Sequence, residues 1–190
     1  MTERKRRRRM PQRATPEGLR KAALRYLERY ASSAANLRRV LLARVERSAR
    51  FHDSDREAGA EWVDDIVARF TRAGLVDDKA YAELRTARLS DRGYGRRRIV
   101  HTLRAKGVDE DVIAAALDGL AADVAEPDLR AAIVMARRRR LGPYRGGDRA
   151  ERRERDMAAL ARAGFDYDTV RRVIDTADID DLEAEAEGRD

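Results

Sequence analysis

Apolar residues recur at steps of three and four from Leu19 onward, and no segment shows sustained alternation. That period predicts helices whose apolar stripes face inward. The first carries Leu19, Ala23, Tyr26, Leu27 and Tyr30. The second, capped by Ser32 or Ser33, carries Leu37, Val40, Leu41 and Val45. A polar stretch over 48–58 reads as a loop, and a third helix follows with Trp62, Ile66, Val67 and Phe70. Trp62 reads there as a core residue. A fourth helix starts at Asp77 or Asp78 and runs to about Asp91, with Tyr81, Leu84, Ala87 and Arg88 at helical spacing. After Arg92-Gly93-Tyr94-Gly95, a fifth helix carries Ile99, Val100 and Leu103 up to Lys106. A sixth, capped by Asp109, carries Val112, Ile113, Ala116 and Leu117. Three more helices follow: DLRAAIVMARRRRL up to Gly142-Pro143, AERRERDMAALARAG, and DYDTVRRVIDTA.

Residues 103–118 (LRAKGVDEDVIAAALD) align without gaps on 160–175 (LARAGFDYDTVRRVID). The matches are Leu103 with Leu160, Gly107 with Gly164, Val108 with Phe165, Asp109 with Asp166, Ile113 with Val170 and Leu117 with Ile174. Each is a cap or a core-face position. The pattern is a helix stopped by a left-handed glycine, an apolar residue folding back, and an Asp that starts the next helix. Gly74 in FTRAGLVDD has similar end-of-helix chemistry. The expected architecture is all-α: three tandem three-helix repeats stacked into an elongated helical array. The repeats are placed at 18–76, 77–120 and 127–177. A disordered basic arm over 1–17 precedes them and an acidic tail over 178–190 follows.

Composition narrows the function classes. The 190 residues are 41% charged, 5% aromatic and +7 in net charge. Arg4, Lys5, Arg6, Arg7, Arg8, Arg9 and Arg13 outnumber Glu3 near the start. Asp178, Asp180, Asp181, Glu183, Glu185, Glu187 and Asp190 outnumber Arg189 at the end. These two blocks cancel, so the body carries the excess and suits a polyanion or an acidic protein surface. Lysine is confined to positions 5, 21, 79 and 106; the other basic residues are arginine, whose fork binds phosphate and carboxylate bidentately. Cysteine is absent, which excludes thiol chemistry and disulfides and points to the cytoplasm. No apolar run is long enough for a membrane span.

Catalytic candidates are few. His52 and His101 lack partners at metal-ligand spacing, and Asp64-Asp65 and Asp77-Asp78 read as helix-start or solvated residues. No catalytic residue, metal site or cofactor is expected. Gly93-Tyr94-Gly95 has neither the strand nor the spacing of a phosphate loop and reads as a turn, with a backbone-amide anion site at the following helix start as the minor alternative. The contact candidates are the basic clusters: Arg92, Arg97, Arg98, Arg104 and Lys106, then Arg137, Arg138, Arg139 and Arg140. Arg97 and Arg104, seven apart, share a helix face. The structural caps are Gly74, Gly93, Gly95, Gly107, Gly164, Asp77, Asp109 and Asp166.

The steps GLVDDKAYAE, RGYGRRRI and LRAKGV within 70–117 resemble the RecX family, regulators of the bacterial recombinase RecA. The matching positions are Asp77, Asp78, Tyr81, Ala82, Arg92, Gly93, Gly95, Arg98, Ile99, Leu103, Lys106, Gly107 and Val108. Weaker resemblance covers about 19–45 and 128–175. The chain departs from the family pattern at Arg44-Val45, where Lys-Gly is frequent, and at Ala163, where Arg is common. The resemblance implies a non-enzymatic protein of three-helix repeats. It implies binding to RecA and the RecA–DNA filament, with inhibition of ATPase, strand exchange and co-protease activity. Arg92, Arg98 and Lys106 carry family support; Arg97 and Arg104 rest on charge and helical phase. A monomer is expected, with weak non-specific DNA binding and no membrane partner. The competing class is a DNA-binding module such as a helix-turn-helix transcription regulator. Against it, the helix after Gly107 is acidic and carries no Arg, Lys, Asn or Gln to read bases.

Overall fold

The computed structural model describes residues 10 and 12–187. Among these, all regular structure is helical: ten α-helices and one 3-10 turn. The chain divides into two compact units at Asp77–Asp78.

The first unit contains α1 (Pro16–Leu27), α2 (Ala34–Phe51) and α3 (Arg56–Arg72). Thr15, Ser33 and Asp55 cap them, each side chain accepting a backbone N–H of the first turn. Leu19, Ala23, Leu37, Leu41, Val45, Val63, Ile66 and Phe70 close on one another as its core, with Trp62 half-buried at the margin. Three expectations change here. The expected loop over 48–58 is mostly helical: α2 continues to Phe51, and buried Ser48 accepts the Ala14 N–H at 2.8 Å. Most of the basic arm lies outside the described residues, but its last residues cap and begin α1. Tyr30, expected on the core face, is 58% exposed, because it lies in the turn after α1 rather than on its stripe.

The second unit holds α4 (Asp78–Asp91), α5 (Arg96–Arg104) and α6 (Glu110–Asp123), then α7 (Pro127–Arg139), the 3-10 turn Gly142–Tyr144, α8 (Arg149–Arg162), α9 (Tyr167–Asp175) and α10 (Ile179–Ala186). Two three-helix groups thus share one body, and Tyr94 packs against both their cores. The inward face of α4 is Ala82, Thr86, Leu89 and Ser90; Leu84 and Ala87 point outward. α4 packs on both α6 and α7, and small side chains let backbones come close on two sides.

The aligned copies of the cap motif superpose in function. Gly107 (φ 70°) and Gly164 (φ 100°) are left-handed, and Val108 and Phe165 fold back so that their N–H groups bond Leu103 and Leu160 carbonyls. Gly74 (φ 69°) ends α3 in the same manner.

The acidic tail expected over 178–190 is instead a helix up to Ala186, started by Asp178, whose carboxylate accepts the Asp180 and Asp181 N–H groups. Leu182 and Ala186 are buried in the last core, and Glu183 accepts the Tyr144 hydroxyl at 2.7 Å. Burial, with the Glu183 carboxylate beside it, pushes the Tyr144 hydroxyl up to about 12. Leu182→Ala is expected to lower the stability of this unit by about 2–4 kcal/mol, read by urea unfolding. A solvated tail would leave the midpoint unmoved.

Candidate functional site

The start of α5 is the point where the second and third three-helix groups join. Gly93 (φ 80°) is buried, and a side chain there would meet the Met135 Cβ at 2.9 Å and the Ala131 carbonyl at 3.0 Å on α7. Gly95 lies still closer to its neighbour: an added Cβ would stand 2.6 Å from both the Gly164 carbonyl oxygen and Phe165 Cδ1. Gly95 is therefore glycine for proximity, not for conformation, since its φ is −78°. The helix start is stitched across the junction. The Gly95 N–H donates to the Ala163 carbonyl at 3.0 Å and the Arg97 N–H to the Gly164 carbonyl at 3.2 Å. The Arg96 N–H donates to Asp128 Oδ1 at 3.0 Å.

Those bonds decide the anion-site alternative. The donors that a phosphate would use at a helix N-terminus are already taken by two carbonyls and a carboxylate of this chain. The motif's backbone therefore serves assembly of the unit, and its side chains are what remain for a partner. Burial raises the Asp128 carboxyl above its ordinary range, an effect the Arg96 N–H partly offsets. Asp166 is lowered, chiefly by the Thr169 N–H it accepts at 2.7 Å, with the Arg97 charge contributing.

The contact candidates separate in space. Arg92, Arg97 and Arg98 are exposed around this junction. Arg104 is forked onto Glu110, with bonds of 2.6 and 2.8 Å, and Lys106 is half-buried. The Arg137–Arg140 cluster is not a uniform basic surface. Arg137 pairs with Glu183 and lies 5.9 Å over the Tyr144 ring, while Arg138, Arg139 and Arg140 are exposed. Arg140 is left-handed (φ 54°) and ends α7 without a glycine. Of the expected caps, Asp166 binds the next turn through its side chain; Asp109 occupies the corresponding position without a side-chain bond. Asp77 immediately precedes α4, which begins at Asp78.

A residue missed at the sequence level is Asp156, the buried acid of α8. Its side chain is 2% exposed and accepts Arg145 at 2.7 and 3.1 Å and the Gly142 N–H at 2.9 Å. In the run ERRERD it looks like one more surface charge. The Gly142–Arg145 segment, folded onto α8, supplies its partners. Among the described residues no group of three or more His, Cys, Asp or Glu is placed to hold a metal ion, and no helix is long and apolar enough to cross a membrane.

The fold is shared with solved proteins. A crystal structure of RecX from Lactobacillus salivarius superposes with a TM-score of 0.59 at 21% identity, over 88% of this chain and 96% of that one. A second RecX crystal structure gives 0.60 at 22% identity, over 84% and 70%. Residues 77–117 match the family model described as RecX, second three-helix domain. The regulatory protein RecX of Myxococcus xanthus is 44% identical over 168 residues, covering 87% of this chain and 89% of its own length. The chain belongs to the RecX family. The RecX of Thermobifida fusca is 35% identical over 159 residues, 82% of each chain. The family model thus covers α4 through α6 with the whole Arg92–Arg98 segment, so the most recognisable stretch of this RecX-family chain is also its inter-repeat seam.

Proposed function

We propose that this chain regulates a RecA-type recombinase: it binds the recombinase or its filament on DNA and inhibits ATPase, strand exchange and co-protease activity, without catalysing a reaction itself. The observation that carries this reading is the α5 junction. Its backbone donors are spent within the protein, so Arg92, Arg97 and Arg98 are presented as exposed cations on a seam that hydrogen bonds hold in place. Guanidinium groups carried on a fixed backbone suit carboxylates of a partner protein or phosphates of its DNA. The relatives' shared designation as regulatory proteins points the same way.

The helix-turn-helix alternative places α6 in a DNA groove. Its exposed residues include Glu110, Asp111 and Asp118, whose carboxylates repel phosphate, and Ala114 and Ala115, which offer a base edge no more than contact with a thymine methyl. That surface favours a protein-directed role over sequence reading.

The test is the DNA-dependent ATPase and strand exchange of the cognate recombinase on saturated filaments, with and without this protein. Equimolar protein should inhibit both, and excess competitor DNA should leave inhibition in place. The double substitution Arg92→Glu, Arg98→Glu should raise the inhibitory concentration about tenfold or more, since an exposed charge contact becomes repulsive. The far-UV spectrum should not change. Inhibition abolished by competitor DNA, with no complex on recombinase or filament, would reject the proposal.

A further inference from the structure

We infer that the first unit carries a binding groove for single-stranded nucleic acid, built between α1 and α2 and independent of the α5 junction. The groove has a volume of about 530 Å³ and is lined by Arg25, Arg29, Arg44 and Arg47 together with Tyr26 and Tyr30. No carboxylate lines it. Other arginines of the same unit meet carboxylates: Arg38 forks onto Asp64, and Arg50 and Arg56 share Glu46. Arg25, Arg44 and Arg47 also line an adjoining groove of about 790 Å³, to which Arg13 contributes and where the one carboxylate, Glu17, is ion-paired with Lys21. Basic side chains thus form a track longer than one anion would need.

The aromatic pair names the class of polyanion. Tyr26 and Tyr30 rings lie 5.2 Å apart, tilted by 42°. Tyr26 is anchored from below: its hydroxyl accepts Asn36 Nδ2 at 3.0 Å, and buried Asn36 also donates to Ser32 Oγ at 2.7 Å. Tyr30 rests against this fixed ring with most of its surface open to water. A large aromatic ring held outward beside guanidinium groups that meet no carboxylate among the described residues matches a strand that offers phosphates and unstacked bases together. A duplex offers phosphates but keeps its bases stacked inside. An acidic peptide offers charge without a regular supply of flat apolar faces.

The experiment is fluorescence anisotropy of labelled oligo-dT of about 16 nucleotides with the full chain and no recombinase present. The comparison ligands are a duplex, an abasic strand of the same length, and poly-glutamate. The thymine strand should bind more tightly than all three. Tyr30→Ala should weaken oligo-dT binding about tenfold and leave the abasic strand unaffected. The pair Arg44→Glu, Arg47→Glu should weaken both strands, with more effect at low salt. Tyr30 is exposed, so its replacement should leave the melting curve unchanged. Equal affinity for duplex and abasic strand, with Tyr30→Ala silent, would overturn the inference; so would a preference for poly-glutamate. Because no recombinase is present, either result is separate from the ATPase test.

Discussion

Gly164→Ala is expected to cost about 3 kcal/mol or more, lowering the melting temperature of the second unit by roughly 10 °C. Two effects add. At φ 100° any side chain is strained, and an added Cβ would stand 2.4 Å from the Arg98 nitrogen and 2.7 Å from Arg98 Cβ. Those atoms belong to the first turn of α5, so relief requires α5 to move off the α8–α9 junction. That movement would break the Gly95-to-Ala163 and Arg97-to-Gly164 hydrogen bonds. Gly95→Ala should produce a comparable loss from the other side of the contact, at an ordinary φ. Gly119→Ala is the control. It lies inside α6 with open space around its would-be Cβ, so it should stabilise by about 0.5–1 kcal/mol. Thermal and urea unfolding of the full chain measure all three. A Gly164→Ala protein as stable as the parent would show that the seam is not closed as described.

Asp156→Ala is expected to cost about 3 kcal/mol, since it leaves the Gly142 N–H and the Arg145 guanidinium without their shared acceptor. Asp156→Asn keeps an acceptor but removes the charge, so about half that loss is expected. The pH dependence separates charge from shape. Burial pushes this carboxyl up, but the Arg145 fork and the Gly142 N–H outweigh it and hold it below its ordinary 3.8. A depressed carboxyl stabilises the fold fully above the unfolded value, and that contribution is lost as pH falls through the folded one. The gap between parent and Asp156→Asn should therefore hold steady from neutral pH to about 4 and narrow below it. A gap constant down to pH 2 would mean the carboxylate charge does no stabilising there.

Both positions show how far sequence reading reaches. Gly164 is legible as a helix stop, because the left-handed cap and the following Phe165 are set within a few residues. Its second constraint, contact with Arg98, comes from a helix more than sixty residues earlier in the chain. Gly95 shows the same limit: it reads as a turn glycine, yet its φ would admit other residues and only the Gly164 carbonyl forbids them. Leu84 and Tyr30 recur at helical spacing yet are exposed, for a related reason. Periodicity finds a stripe, but which stripe faces inward depends on how closely the neighbours approach and where the helix ends.

What the sequence alone determined about this protein is its local order: nine of the helices, with most of their starts and stops, and the repeated Leu103-to-Leu117 and Leu160-to-Ile174 elements. Hydrogen bonding within one turn and burial of a 3.6-residue stripe act over a few residues, so the pattern is enough. The tertiary structure decided which charges are spent and which are offered. Arg137 meets Glu183, Arg145 meets buried Asp156, and the acidic end becomes a helix docked by Leu182, while Arg92, Arg97 and Arg98 stay exposed. A guanidinium is the same residue in every case. Its role depends on whether folding brings a carboxylate within bonding distance, and residues far apart in the chain settle that.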